Sequence, residues 1–485
     1  MRAAPLLAVG ARALRAARCP AFSAPGGRGG VRVASGPTLP RALGTVRSLS
    51  RAGAEAAKRE SPASSGERTA AGAPPPLDYS LVAVPRSPTV TDGAWKQADA
   101  ELVEAASREA SAAEPVSGLP ASLLGMSLGD LSALAVADGQ PAFRGKQLHE
   151  ALYSKARYPH SLDDFSVLPA AWKASLRARG VGVGRSTVHA AAVSSDGTAK
   201  LLLRLADGRV VETVGIPTED ATKKRLTVCV SSQVGCPMRC LFCATGKGGF
   251  ARNLAAHEIV DQVLHVEERF GRRASHVVFM GMGEPLLNLR GVLAAHRALN
   301  EDVGISQRSM TISTVGVPNT LARLAAVGLQ STLAVSLHAP DQELREKIIP
   351  SAKAYPLHAL MTDIAAYNKA TGRRISFEYT LLDGVNDSPQ QARALCSLLG
   401  RYGLGGSGGH VNLIPYNPVA DSPYARPSGN AVRRFADALK AAGCIASVRQ
   451  TRGTDAAAAC GQLRNAFQSK AGPLAPVDAW DAQQA

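Results

Sequence analysis

The stretch Val228–Leu254, VCVSSQVGCPMRCLFCATGKGGFARNL, sets three cysteines in one short loop: Cys236, Cys240 and Cys243, spaced C-x3-C-x2-C, with Cys229 seven residues upstream. Three closely spaced thiolates can seat three corners of a 4Fe-4S cube and leave the fourth iron open to a substrate. A structural zinc site asks for four closed ligands, and neither a second C-x2-C pair nor a distant Cys/His pair accompanies the triplet. A disulfide framework suits short secreted chains, whereas 485 residues can bury a core without covalent staples. The remaining alternative is three neighbouring buried thiols with no joint role, and the aromatic Phe242 directly before the third cysteine weighs against it.

Outward from this loop, the chain beyond Leu226 alternates strand and helix patterns. Strands are expected at Leu226–Val230, His276–Met280, Met310–Ser313, Thr332–Leu337, Ile375–Leu381, Val411–Ile414 and Ile445–Val448. Amphipathic stretches such as Ala255–Phe270, Leu289–Leu299, Pro356–Lys369 and Pro389–Arg401 lie between them. That rhythm implies a parallel sheet with right-handed crossovers, either an open doubly wound sheet or a full or partial barrel. Ligands in such folds bind at the carboxyl ends of the strands. Upstream, Thr187–Val214 has short apolar runs around turns at Ser195-Asp196-Gly197 and Asp207-Gly208, which reads as a small antiparallel sheet. Before it, Ala121–Gly182 places Leu124, Leu128, Leu131, Ala135, Leu148 and Leu152 at helical spacing, with a basic turn at Pro141–Gln147.

The net charge is +16, and residues 1–50 contribute half of it through eight arginines with no Asp, Glu or Lys. The rest of the chain is still basic, which suits a nucleic-acid partner better than a small neutral metabolite. The arginine-rich, acid-free opening reads as an organellar transit peptide, with plastid favoured over mitochondrion. Residues 51–118, rich in Ala, Ser, Pro and Glu and including Pro74-Pro75-Pro76, read as a disordered linker with one short helix around Ala98–Ala113. No apolar run reaches the ~18 residues that span a bilayer, so no membrane partner is expected.

Several polar groups fall at expected strand ends. Gly281-Met282-Gly283-Glu284-Pro285 follows the second strand, where glycines admit close backbone approach and a carboxylate can accept from an ammonium group. Ser313-Thr314 ends the third strand, and Ser336-Leu337-His338-Ala339-Pro340 the fourth. His338 is read as a ligand contact, not an acid or base. Asn417 in Pro415-Tyr416-Asn417-Pro418 could read an adenine or ribose edge. Cys460 lies after the seventh strand, where a thiol could act as a nucleophile or simply be buried. Cys396 and Cys444 sit in apolar surroundings and are read as inert thiols.

From about Leu123 to Leu463 the chain resembles the RlmN/Cfr family of radical S-adenosylmethionine (SAM) RNA methyltransferases. The matching motifs are VETVGIP, the cysteine stretch itself, FMGMGEPLLN, TIST, AVSLHAP, NLIPYNP and VRQTRGTD…AACGQL, in family order. The resemblance implies an α/β fold: a partial (β/α)6 barrel preceded by a small helical accessory domain and a short antiparallel β extension. The corresponding division is 1–50 transit peptide, 51–118 linker, 119–183 helical RNA-binding domain, 184–217 β extension, 218–468 radical SAM core and 469–485 disordered tail. It implies that Cys236, Cys240 and Cys243 hold a 4Fe-4S cluster, and that Gly283, Glu284, Ser313, Ser336, Leu337, His338 and Asn417 contact SAM. Cys460 matches the cysteine that accepts a methyl group, Cys229 its resolving partner and Glu212 the family's proton acceptor. Two SAM molecules per turnover, an electron donor such as flavodoxin or ferredoxin, and large-subunit rRNA or tRNA as substrate are implied with them. Carbon 2 of adenine is the implied target. Carbon 8, or a silent iron–sulfur RNA-binding protein, are the alternatives, although a passive binder needs neither Cys229 nor Cys460. Two small departures, Ala456 and the run Gly403–Gly409, touch none of these groups.

The targeting reading has a direct check. Residues 1–60 fused to a fluorescent protein are expected to enter a plastid or mitochondrion, and cytosolic fluorescence would sink the reading.

Overall fold

The computed structural model describes residues 121–154, 158–219 and 224–463, so the expected transit peptide, linker, short helix and tail lie outside the described residues. Twelve strands form a ten-stranded sheet and a separate pair. In the large sheet β1 (Thr187–Val193), β2 (Ala199–Arg204), β3 (Val210–Glu219) and β4 (Lys224–Cys229) run antiparallel. From β4 onward the partners are parallel: β7 (His276–Phe279), β8 (Met310–Thr314), β9 (Thr332–Ser336), β10 (Ile375–Leu381), β11 (Gly409–Pro415) and the short β12 (Ala446–Val448). All seven strands expected in this half are present. Both edges of the sheet, β1 and β12, are unpaired with each other among the described residues, so the barrel is open.

The antiparallel β extension is present and reaches further than Val214. β3 continues past Val214 and pairs with β4 as far as Glu219, so β4 is shared by the antiparallel and parallel halves. The second pair, β5 (Gln233–Gly235) and β6 (Phe250–Asn253), was not anticipated; it closes the base of the cysteine loop.

Each of the six crossovers carries a helix, numbered here after the accessory helices α1 (Leu128–Ala137), α2 (Phe143–Leu152) and α3 (Ala170–Ala178) and the single turn α4 (Ala244–Lys247). They are α5 (Ala256–Phe270), α6 (Leu289–Glu301), α7 (Leu321–Val327), the pair α8 (Gln342–Ile348) and α9 (Leu357–Thr371), α10 (Pro389–Arg401) and α11 (Gly429–Ala441). In β10 the alternation ISFEYTL turns Phe377, Tyr379 and Leu381 toward the fully buried helix side and leaves Ser376, Glu378 and Thr380 on the other face. α5 starts with a Glu258 carboxylate accepting from Ala255 N at 2.8 Å and stops at Gly271 in the left-handed region, φ 57°. Its Ile259, Val263 and Val266 join Val228 and Val277 in the main core. Of the apolar residues expected to bury in α1, Leu131 and Ala135 do, but Leu128 stands at the first helical turn and is exposed.

The segment between α3 and β1 docks on α5 through polar groups. Asp261 of α5 accepts from Ser186 N at 2.8 Å and from the Arg185 guanidinium and the Ser186 hydroxyl, and lies 3.4 Å from His265 Nε2. Burial alone would raise the Asp261 carboxyl, but the His265 charge and these donors hold it well below the usual carboxylate range. A depressed folded pKa contributes stability above the unfolded value, near 4, that is lost as pH falls. Asp261→Ala is therefore expected to cost about 3–5 kcal/mol at pH 7 in urea unfolding, with a smaller difference at acid pH. An unchanged midpoint would contradict this.

Candidate active site

The cysteine loop is built as a clasp. Cys236 N donates to Gly249 O at 2.8 Å, and a Cβ on Gly235 (φ 81°) would lie 2.0 Å from that same oxygen, so glycine is required where the strands meet. Arg252 of β6 grips Glu258 with two bonds of 2.8 Å and Asp207 of the β2–β3 turn with a third of 2.7 Å, which fixes the far end of the loop. Within it, Arg239 adopts φ 53°, turning the chain between Cys236 and Cys240. Cys243 N donates to Cys240 O at 3.1 Å, and Leu241 N donates to Ile348 O at 3.0 Å.

The same loop is bonded to the segment carrying Cys460. Ala244 N donates to Gly461 O at 2.7 Å and Thr245 Oγ1 to Leu463 O at 2.6 Å. On the other side Asn417 Nδ2 donates to Cys460 O at 3.0 Å, while its Oδ1 accepts from Arg426 at 2.9 Å. Asn417 thus spends two of its polar contacts on the protein, beyond the adenine-reading role its type suggested.

Burial, and then the like charge of the neighbouring thiols, push Cys236 and Cys240 far above the ordinary thiol range. Anionic sulfur here needs a cation, which is what an iron cluster supplies. Among the described residues no three His, Cys, Asp or Glu side chains converge as a single metal ion would require. A cubane differs, since each thiolate binds its own iron. The donor set and its electrostatics therefore fit the cluster.

The expected SAM contacts border this loop. Glu284 accepts from Leu286 N at 2.9 Å and Val315 N at 2.8 Å, and its own N–H donates to Gln233 Oε1 at 2.9 Å. Burial pushes its carboxyl up to about 7 against those hydrogen bonds. A Cβ on Gly283 (φ 110°) would meet Gln233 at 2.7 Å. His338, at φ 62°, accepts from Thr380 N through Nδ1 at 2.9 Å and meets Phe242 edge-on with ring centroids 4.8 Å apart. Burial, helped by the Arg345 charge, brings its pKa down to about 3, so the ring is neutral with its proton on Nε2. That excludes an acid role near neutral pH. Ser313 and Ser336 are half-buried on β8 and β9, and Leu337 is fully buried.

Two groups had not been singled out, Arg345 and Glu378, and a third, Arg449, had been quoted only within the VRQTRGTD motif. Arg345 is almost fully buried and donates to the carbonyls of Val315 at 2.6 Å, Leu337 at 3.2 Å and Ser336 at 3.4 Å, with Cys240 among its electrostatic partners. Glu378, on β10, accepts from Ser376 Oγ and Asn412 Nδ2, each at 2.7 Å. Arg449 is coupled to Cys460, Glu378 and Cys229. Glu378 is the single charge in the strand ISFEYTL, which was the available signal, whereas Arg345 was masked by the charged run Asp341–Lys347 around it.

Cys229 ends β4, buried, and its carbonyl accepts from Thr213 Oγ1 at 2.9 Å. Glu212 precedes that threonine, and its carbonyl accepts from Ser231 Oγ at 2.6 Å. A charge on Cys460 would be felt at Cys229, so the two thiols lie on the same side of the site. Cys229 and Cys460 are free, and the disulfide joins Cys396 to Cys444, which corrects the reading of those two as inert thiols.

Comparison with known proteins bears on this geometry. The Radical SAM superfamily profile matches residues 230–395. A protein described as "probable dual-specificity RNA methyltransferase RlmN" from Thermosynechococcus vestitus is 58% identical over 344 residues, 71% of this chain and 98% of its own length. A protein of the same description from Synechococcus sp. strain JA-2-3B'a(2-13) is 57% identical, covering 73% of this chain and 98% of that one. The crystal structure of a radical SAM methyltransferase from Sphaerobacter thermophilus superposes with a TM-score of 0.66 at 41% identity, covering 71% of this chain and 99% of that one.

Burial, then the charge of Cys460, raise the Cys229 thiol to about 12, with Arg449 opposing. At pH 7 the thiol is thus held in its neutral form. Alkylation of Cys229 by iodoacetamide in the folded protein is expected to be slower than in urea by about a thousandfold or more, rising as pH approaches 11. Equal rates at pH 7 would contradict this placement.

Proposed function

The chain belongs to the RlmN family of radical SAM RNA methyltransferases, and from that membership we propose that it methylates carbon 2 of adenosine in large-subunit rRNA, and in tRNA beside the anticodon. The observation that carries the proposal is the hydrogen bonding of the three-cysteine loop to the segment that bears Cys460. Cys236, Cys240 and Cys243 would hold the 4Fe-4S cluster, and Gly283, Glu284, Ser313, Ser336, Leu337, His338 and Asn417 would line the SAM site. When bound, the cluster supplies the electron that cleaves SAM to a 5′-deoxyadenosyl radical.

The chain's own residues do the rest. Cys460 takes a methyl group onto sulfur by displacement, for which the thiolate is the competent form. Its bonded neighbours Ala244 and Asn417 hold the loop so that this sulfur presents its methyl carbon to the adenine ring. Glu212 takes the proton that the ring carbon must lose. Cys229 then attacks the Cys460 sulfur: an S–S bond forms, the C–S bond to the RNA-borne methylene breaks with its electron pair left on carbon, that carbon takes a proton to become the methyl group, and a thiol reductant reopens the disulfide. A second SAM per turnover and an external electron donor such as flavodoxin or ferredoxin belong to the proposal. So does import into an organelle, plastid over mitochondrion, which rests on the acid-free opening of the chain.

Nucleoside mass spectrometry of RNA treated with the reconstituted enzyme tests base and ring position together, and 2-methyladenosine is the expected product. Cys229→Ala is expected to keep its cluster and accumulate an RNA adduct on Cys460. Clean turnover by that variant, or 8-methyladenosine as the product, would overturn the corresponding part.

A further inference from the structure

β2 reads Ala199-Lys200-Leu201-Leu202-Leu203-Arg204, and Lys200 in this apolar run is only 5% exposed. Removing an ammonium from water costs several kcal/mol unless partners repay it, so its partners indicate what it is for. Lys200 Nζ donates to Ala457 O at 3.1 Å, three residues before Cys460. It also stands 3.6 Å from Glu212 Oε2, a contact between side chains 7% and 1% exposed. At that length the second contact is an ion pair without a hydrogen bond.

The strand register explains why these groups meet. Lys200 pairs with Val214, and Val214 with Cys229, so the three form one row across β2, β3 and β4. Directly paired residues share a face and side chains alternate along a strand, so Glu212, two residues before Val214, is on that face too. The turn preceding Lys200 grips the same Cys460 segment. Gly453 N donates to Asp196 Oδ2 at 3.0 Å, Ser195 N donates to Asp455 Oδ2 at 2.9 Å, and Ser194 Oγ also donates to Asp455. The other ionisable groups here are Cys229 on β4, Cys460, and Arg449, which is coupled to both thiols.

We propose that Lys200 is a positioning residue for the methyl transfer: its ammonium keeps Glu212 anionic in a buried site and pins the Cys460 loop above it. This rests on the function proposed above and deepens it. In the step concerned, the C–H bond of the adenine adduct breaks, its electron pair stays with the ring, and the proton bonds to a Glu212 oxygen. Lys200 keeps its proton and its bond to Ala457 throughout. A neutral side chain at position 200 would remove this cation from beside the buried carboxylate and shift it toward its protonated form, in which it cannot accept.

The test uses the full chain with its cluster reconstituted, SAM and a transcribed rRNA fragment, comparing wild type, Lys200→Met and Lys200→Arg. S-methylation of Cys460 is read by peptide mass spectrometry, and release of methylated RNA by single turnover across pH. Lys200→Met is expected to slow RNA release about tenfold or more at pH 7 beyond any loss in Cys460 methylation, its pH profile for release displaced upward by about one unit or more. Lys200→Arg, which keeps the charge, is expected to restore the profile. An unshifted profile in Lys200→Met overturns the proposal. So does a parallel loss of both steps that arginine does not rescue, since that marks a purely structural lysine. If wild type itself carries no S-methyl on Cys460, the underlying reading fails, and this assignment falls with it.

Discussion

Two hydrogen bonds, Ala244 N to Gly461 O at 2.7 Å and Thr245 Oγ1 to Leu463 O at 2.6 Å, join the three-cysteine loop to a segment more than two hundred residues downstream. One is a backbone bond and the other is donated by a side-chain hydroxyl, and together they hold the Cys460 segment against the loop. The loop follows β4 and the Cys460 segment follows β12, strands that stand six places apart in the open parallel half-barrel. The seam therefore closes across the carboxyl edge of the sheet, where ligands bind in parallel α/β folds. The antiparallel strands supply the opposite jaw, because β4 belongs to both halves and carries Cys229 beside Glu212 of β3.

The second organising feature is an unusual density of buried charge. Glu284, Glu378, Arg345, Lys200 and Glu212 are all nearly inaccessible. Such groups are expensive to bury, and each is paired with backbone or with an opposite charge. Burial pushes the Glu284 carboxyl up, burial and then like charge push the Cys236 and Cys240 thiols up, and burial brings His338 down. The site is therefore set for cationic ligands, and a cluster iron and a sulfonium cofactor both supply positive charge. Neutral His338 fits such a site as a hydrogen-bond donor through Nε2.

How far the sequence carried this account depends on whether the signal was local. The seven parallel strands were legible because period-two alternation and flanking helices are short-range patterns, and Ile375–Leu381 even matches in its bounds. The convergence of Cys229 with Cys460 was reached only through resemblance, since a contact spanning more than two hundred residues leaves no local trace. The β5–β6 pair escaped notice because its strands of three and four residues are held by glycine geometry at Gly235 and Gly249, not by alternation. Extension of β3 to Glu219 was hidden by Pro217, a residue that ordinarily argues against a strand interior. The Cys396–Cys444 pair was misread for the same reason as the catalytic pair was invisible: neighbours across α10 and the loop before β12 are made by tertiary packing.

The central claim is the proposal that Cys229 and Cys460 are a reacting pair, separate from the triplet that would hold the cluster. The most direct measurement is a non-reducing peptide map of the cluster-loaded full chain after one turnover with RNA in the absence of added thiol. A Cys229–Cys460 disulfide appearing in step with methylated RNA is the predicted result. Methylated RNA formed while both residues remain thiols would contradict the account.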